Sequence, residues 1–369
     1  MTNHRGLLGL VLFLISLGSS MYGLFLPIYF LGHGVGYIQV LVFLISYAVG
    51  GILSGFFSNL IMSRVGVRIF IMLRGLLEPC VILLILFYPE FNYPLLPIGI
   101  LYGFISYAFW ISMDILTIKL TDAGKRGSQQ GNLYLGMYIA LIIAPFIGGF
   151  IIDQLGYPAL YVASFALVLG GGLLSLGIPV LVPVKQKLIL YPKFKGEPGL
   201  FMILMVLRGF SLAVTAFLIG LFIYRIFNQE IIVGTFGLIF GITGFISIYL
   251  SSKIIDKVNK KTAIAVLLAF TGVSWILLGL GFSEILLYVI LVGVNFFFKS
   301  VDVPFNTLFF SSIEKQEMVV LVSERIIAVS IGAAIILFAA IFCSWAQIFI
   351  ITGLSCLISV PVVLRIKAS

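Results

Sequence analysis

Twelve apolar runs, each long enough to cross a bilayer, follow one another along this chain with short breaks between them. They fall at about residues 6–31, 37–62, 67–88, 94–120, 129–153, 158–182, 199–223, 231–252, 262–282, 285–310, 323–343 and 346–365. A spanning helix needs about 20 mostly apolar residues. Hydrocarbon offers no partner to an open backbone, so each run must satisfy its own hydrogen bonds as a helix. Composition agrees: 62% of the residues are hydrophobic and 9% charged, where a soluble domain carries about 25% charged residues. The mean hydropathy is +1.24. A folded monomer must still cover its own surface, so the solvent for most of this surface is the lipid bilayer. The breaks carry Gly, Pro or charge, as in Gly32-His33-Gly34, Pro89-Glu90-Phe91-Asn92 and Gly156-Tyr157-Pro158. The start imitates a secretory leader, with Arg5, an apolar stretch and Gly18-Ser19-Ser20, but the apolar run continues through Phe30 and reads as the first membrane helix.

The net charge of +9 has a membrane explanation. With the N-terminus placed in the cytoplasm, eighteen of the 22 basic residues fall in inner segments and Arg225 alone falls in an outer one. Arg74, Arg208 and Lys299 lie within helices. This asymmetry follows the positive-inside rule and requires an even number of spans, both termini cytoplasmic. The short loops point to a prokaryotic inner membrane. No nucleic-acid partner is needed to account for the charge. The longest inner segment, with four lysines and three prolines, divides the chain into residues 1–182, a linker at 183–198 and residues 199–369.

Other chemistries find little support. Cys80, Cys343 and Cys356 sit inside apolar runs. Three is odd, and the spacing wrong, for a disulfide framework or a zinc site, and they read as small buried hydrophobes. His4 and His33 are the two histidines, so no metal site is expected. There is no G-x-x-x-x-G-K-[ST] loop for ATP, no cofactor is expected, and no nucleophile–base or His/Asp constellation supports an enzyme.

The two halves echo each other. After the second run comes Asn59-Leu60-Ile61-Met62-Ser63-Arg64-Val65-Gly66-Val67-Arg68, and after the eighth Ser252-Lys253-Ile254-Ile255-Asp256-Lys257-Val258-Asn259-Lys260-Lys261. Arg64, Gly66 and Arg68 match the G-x-x-x-D-R-x-G-R-R signature of the major facilitator superfamily, with Asn59 in place of its glycine and Ser63 in place of its acid. The second copy keeps the acid as Asp256, followed by Lys257. In the fifth run Gly131, Ala140, Ala144-Pro145 and Gly148-Gly149 fall at the spacings of that superfamily's G-x8-G-x3-G-P-x2-G-G pattern. The chain thus resembles the major facilitator superfamily. The resemblance implies an all-α membrane fold of twelve helices in two six-helix pseudo-repeats, with helices 1, 4, 7 and 10 around a central cavity. It implies gating by the loop residues Arg64, Gly66, Arg68, Asp256 and Lys257. The fifth-helix pattern of Pro145, Gly148 and Gly149 is commonest in exporters that work as antiporters; close packing of small residues is its plain alternative reading.

Charged residues at bilayer depth cost about 2.5–3.5 kcal/mol on insertion scales and are functional candidates. Here they are Arg74 and Glu78 in helix 3, Asp114 in helix 4, Arg208 in helix 7, and Lys299 and Asp302 in helix 10. Asn295, Lys299, Asp302 and Asn306 share one helical face at i, i+4, i+7, i+11. Arg208, Ser211 and Thr215 form a stripe on helix 7. Trp110 stands one turn from Asp114. The expected cavity wall comprises Asp114, Asp302, Arg208, Lys299, Trp110, Asn295 and Asn306, with Asp114 the first choice for exchanging a proton and Asp302 the second. A structural reading sets Lys299 against Asp302 and Asp114 against Arg208. Arg74 and Glu78 read as a structural pair.

The expectation is a monomeric secondary active transporter, with a small-molecule substrate and protons as its partners. Proton-coupled export of an amphipathic compound is favoured. Import of a small organic anion, with Arg208 and Lys299 as clamps, and a lipid flippase on the same scaffold are the alternatives. A sensor would carry an added soluble domain or a long tail.

Overall fold

A computed structural model describes residues 2–120, 126–178, 196–254, 258–281, 284–311 and 318–366. Among these residues every regular element is helical. We number twelve spans. α1 is Thr2–Gly23 continued by Leu26–Gly32, α2 Tyr37–Val65, α3 Arg68–Leu86 and α4 Leu95–Leu120. α5 and α6 are the two parts of Arg126–Ser175, which turn on each other at Gly156 (φ 81°, ψ 173°). A continuous apolar stretch of 41 residues, Leu135–Ser175, would be about twice the hydrocarbon thickness at 1.5 Å per residue. The positive φ, which suits a residue without Cβ, is what splits it into two crossings. α7 runs through Gly196–Ala213, a π-turn at Val214–Leu218, and Ile219–Phe227; α8 is Glu230–Ile254 and α9 Lys260–Leu280. α10 is Glu284–Ser300 followed by Asp302–Ser311, α11 Met318–Ala339 and α12 Trp345–Arg365. Twelve crossings return the chain to the side it started from. That side is called the termini side below, and the other the far side.

The packing repeats with an offset of six helices. In the first half α1 packs on α5 and α6, α2 on α4, and α3 on α4 and α6; in the second α7 packs on α11 and α12, α8 on α10, and α9 on α10 and α12. Small residues make these approaches possible. A Cβ on Gly75 of α3 would run into Gly172 of α6, and one on Gly332 of α11 into the backbone of Val206 on α7. The halves join along two seams related by the same offset, α5 against α8 and α2 against α11. Two buried clusters fill the bundle, one centred on Tyr22, Phe25, Phe43 and Trp275, the other on Ile15, Phe70, Phe109 and Phe305.

Several helices break where the sequence reading had them continuous. α1 is interrupted around Leu24, with Pro27 entering the first turn of its second part. α10 is interrupted at Val301, and Pro304 follows in the next turn. A proline lacks the N–H that would bond four residues back and its ring crowds that carbonyl. Here the residues four back are Gly23 and Ser300, which end the preceding parts. The two loops expected to echo each other also differ. Gly66 ends α2 with φ 81°, its N–H bonding to Met62 O at 3.0 Å. Asn259 is instead extended and caps α9, its side chain accepting from the N–H groups of Lys261 and Thr262. Most of the expected linker, residues 183–195, lies outside the described residues, and α7 begins within its last three positions.

Candidate functional site

The interruption of α10 positions the first charged cluster. Asp302 opens the second part of the helix, where a carboxylate is favoured by the helix dipole, and Lys299 closes the first part. Arg208 of α7 reaches across and donates from Nη2 to Asp302 Oδ1. Lys299 Nζ stands 3.9 Å from the other oxygen, Oδ2. Two rings flank the guanidinium, Phe298 at 5.5 Å and Phe305 at 5.1 Å from its centre. The Asp302 carboxylate is thus shared by two cations on two helices. The expected pairing of Lys299 with Asp302 is present, but Arg208 makes the closer contact.

The second pair joins the halves. Asp114 of α4 faces Arg325 of α11, Oδ2 to Nη1, at 3.7 Å. This corrects the alternative that Asp114 pairs with Arg208. Arg325 was counted with an inner loop in the sequence reading, yet it lies in the second turn of α11 and stacks 5.3 Å from the ring of Phe309. At 3.7 Å the contact is an ion pair without a hydrogen bond, and Nη1 has no hydrogen-bond acceptor. Tyr107, Trp110 and Asp114 recur at i, i+3 and i+7 on α4. Tyr107 packs where Gly51 of α2 meets Ser330 of α11, so this face of α4 looks toward the seam. Trp110 is exposed. Glu324, also buried, adds a carboxylate next to Arg325 in sequence that the reading of intramembrane charge missed. Both residues already lie in the apolar run at 323–343, whose first turn reads as the end of the preceding inner segment, whereas the helix begins at Met318 and takes them into the bundle.

Other expected wall residues turn elsewhere. Asn295 is buried and donates to Phe240 O at 2.8 Å and Thr243 Oγ1 at 2.9 Å, which ties α10 to α8. Asn306 is half-buried, and its Oδ1 has no hydrogen-bond partner. Ser211 lies 3.2 Å from Cys356 Sγ of α12. These two line, with Arg208, Phe298, Phe305 and Ser359, a small cavity of about 10 Å³, room for about one water. The π-turn in α7 takes Thr215 out of α-helical register, so the stripe expected from Arg208 through Thr215 does not continue. Of the cysteines, Cys356 is buried as expected, while Cys343 is half-buried and Cys80 exposed.

Arg74 and Glu78 form a fully buried pair in α3, 2.8 Å apart. Tyr22 of α1 donates to Glu78 at 2.8 Å, and the Arg74 guanidinium lies 4.3 Å over the Phe109 ring of α4. The pair therefore ties three helices of one half. On α5, a Cβ at Gly149 would stand 2.9 Å from Glu230 O and 3.3 Å from the Cα of Gly234 on α8, and Gly148 meets the backbone of Met21 on α1. Pro145 packs against Gly237. The fifth-helix pattern thus sits in the seam between halves, on its far side. Of the expected gating residues, Gly66 ends α2, and Arg68 begins α3 and donates to Leu176 O at the end of α6, a cation set on helix carbonyls. The Arg64 side chain, Asp256 and Lys257 lie outside the described residues.

A bundle of twelve apolar helices in two repeated halves, with an ion pair across their interface, is the architecture of a multi-pass membrane protein. The chain matches the Major Facilitator Superfamily over residues 8–336 and belongs to it. It is 25% identical over 219 residues to an uncharacterized protein, YqgE, of Bacillus subtilis (strain 168), a match covering 54% of this chain and 48% of that protein. The chain thus aligns with about half the length of that relative. Solved structures share the fold. A mutant of the nucleoside transporter NupG gives a TM-score of 0.74 at 13% identity, over 99% of this chain and 100% of that one. A bacterial homologue of the iron transporter ferroportin in an inward-facing state gives 0.73 at 14%, over 99% and 98%. The human organic anion transporter MFSD10 (TETRAN) gives 0.72 at 13%, over 97% and 98%.

Proposed function

We propose that this chain is a proton-coupled exporter of a small amphipathic compound, an antiporter that works by alternating access in the inner membrane with both termini in the cytoplasm. The observation that carries the reading is the Asp114–Arg325 pair. Among the described ion pairs it is the one that crosses between the halves, and it lies toward the termini side. Protonating Asp114 removes its charge and with it the attraction to Arg325. Rebinding of Arg325 expels the proton. A proton taken up at this point therefore loosens one end of the interface, which is the step alternating access requires. The seam of Pro145, Gly148 and Gly149 supports the antiport part of the reading, because its close backbone contacts seal the far side when the termini side opens.

A second reading has one observation in its favour. Arg208 and Lys299 share the single carboxylate of Asp302, and an organic anion entering the site would find a cation to take from that cluster. The test is proton movement in proteoliposomes against a panel of lipophilic cations and organic anions, with wild type beside Asp114→Asn. Proton flux driven by a compound and lost in Asp114→Asn supports the proposal, and the charge of that compound decides between exporter and anion carrier. Transport by Asp114→Asn at the wild-type rate with unchanged proton flux would refute the role of Asp114.

A further inference from the structure

On the far side, away from both charged clusters, a cleft of about 360 Å³ opens between the halves. Its walls include Tyr37 at the start of α2, Leu221, Tyr224 and Arg225 near the end of α7, and Cys343 and Trp345 at the entry to α12. The volume falls at the lower end of the range of small-molecule sites, about 300–1,000 Å³. It suits one or two rings and a head group. Leu31, Tyr37, Leu221, Tyr224 and Trp345 make most of the wall aromatic or aliphatic, and Ser344, Cys343 and Arg225 complete it. Trp345 is held by neighbours on several sides, with ring centroids 6.4 Å from Tyr37, 5.5 Å from Phe222 and 6.1 Å from Phe349. The Tyr37–Trp345 contact spans the two halves, so an occupant of the cleft touches both.

Arg225 supplies the one full charge in the lining. It is exposed and sits in the last turn of α7. The neighbouring acid, Glu230, accepts from Tyr157 at 3.2 Å. Among the described residues no carboxylate lies within ion-pairing distance of Arg225. A guanidinium without a carboxylate presents a planar fork of donors that fits a carboxylate or phosphate. Aromatic residues and an arginine at a membrane–water boundary also serve as plain interface anchors. Anchors of that kind point outward into the lipid and headgroups, however, and enclose no volume between two halves of a protein.

We infer that this cleft is a binding site for amphipathic anions, compounds with a ring or short apolar body and a carboxylate or phosphate head. The body lies between Tyr37, Leu221 and Trp345, and the head meets Arg225. The inference concerns binding alone and stands apart from proton coupling at Asp114. Two sources share the chemistry, a free aromatic carboxylate and the phosphate end of an anionic lipid.

Cys343 in the wall provides the readout without altering the protein. The rate at which N-ethylmaleimide modifies Cys343 is followed peptide by peptide, so that Cys80 and Cys356 are resolved from it, in the full chain held in phosphatidylcholine nanodiscs. 2-Naphthoate is expected to slow the modification saturably by fivefold or more, while 2-naphthamide, the uncharged counterpart, leaves it unchanged. Arg225→Ala is expected to abolish the protection and Arg225→Lys to keep part of it. If phosphatidylglycerol nanodiscs alone protect Cys343 in an Arg225-dependent way and naphthoate adds nothing, the site stands with the lipid head as its ligand. If neither acid nor anionic lipid slows the reaction, if the amide protects as well as the acid, or if Arg225→Ala protects like wild type, the inference is overturned. Because no transport is measured, failure here leaves the proton-coupling proposal to its own test.

Discussion

Removing one partner of the Asp114–Arg325 pair should shift the balance between conformations by an amount the geometry bounds. At 3.7 Å and an effective dielectric constant of about 20, the gross attraction is about 4 kcal/mol. The side chains keep 17% and 24% of their exposure, so the pair stands between solvent-exposed pairs, worth about 0–1 kcal/mol, and fully buried ones, whose disruption costs about 3–5 kcal/mol. A net value of about 2 kcal/mol follows, equivalent to roughly a thirtyfold change in the ratio of conformations joined and parted at the termini side. Asp114→Asn stands in for the protonated acid, and Arg325→Gln removes the other charge. Nitroxide labels at Leu176 at the end of α6 and Lys260 at the start of α9, in opposite halves, report the distance across the termini side. Each single variant should raise the long-distance population by roughly thirtyfold relative to the short one. The double variant should match either single variant rather than their product, giving a coupling of about 2 kcal/mol. A coupling under about 0.5 kcal/mol, the ordinary error of additivity, would show that the pair does not hold the halves and would remove the basis for coupling through Asp114.

Two further outcomes follow from the contacts. Arg208→Gln should lower thermal stability in detergent far more than Lys299→Gln, by about 3 kcal/mol against less than about 1 kcal/mol. Arg208 is the closer and more buried partner, whereas Lys299 lies 3.9 Å away with 36% of its side chain exposed; equal effects would contradict this division of the Asp302 carboxylate. Gly149→Val should wedge α5 from α8, since its first carbon already meets Glu230 O at 2.9 Å. The expected result is far-side leakage of a small dye from loaded proteoliposomes, and a tight, fully active variant would show that the seam yields without opening.

The membrane class, the repeat and most helix bounds were legible because hydropathy over about 20 residues is a strong, local signal. The charged residues were equally visible, but their partners were not. Arg325 lies far along the chain from Asp114, and nothing in either local pattern says that α4 and α11 meet. Arg208 could be placed on α7 by periodicity, yet its choice of Asp302 over Asp114 depends on a break in α10. That break had a readable cause in Pro304, two residues beyond Asp302, but apolar length alone made the run look continuous. The π-turn at Val214–Leu218 left no such mark, because its sequence, Val-Thr-Ala-Phe-Leu, suits an α-helix as well. Asn295 shows the limit of face arguments. It does share a stripe with Lys299, and that stripe leans on α8, where Gly244 leaves the room.

Both seams are packed at glycines, and the termini side adds an ion pair, which bears on how the halves can move. At the far side the contact of α5 with α8 is backbone against backbone at glycines. Dispersion of this kind falls off within about an ångström of separation, so such a seam is either closed or parted. At the termini side, Asp114 and Arg325 attract through a potential that falls only inversely with distance and vanishes when one proton is added. A rocking motion that parts the glycine seam must gain its energy from new contacts, and a ligand at Arg225 and Trp345 touching both halves would oppose it. At the charged end α2 also packs on α11, where Gly55 meets Ile327 and the Ser323 carbonyl, so under the proposed coupling a proton removes the electrostatic part of that hold and leaves the packing to be parted. Under the proposed coupling no wire is needed between the two ends, because two halves pivoting as packed bodies would let one end close as the other loosens.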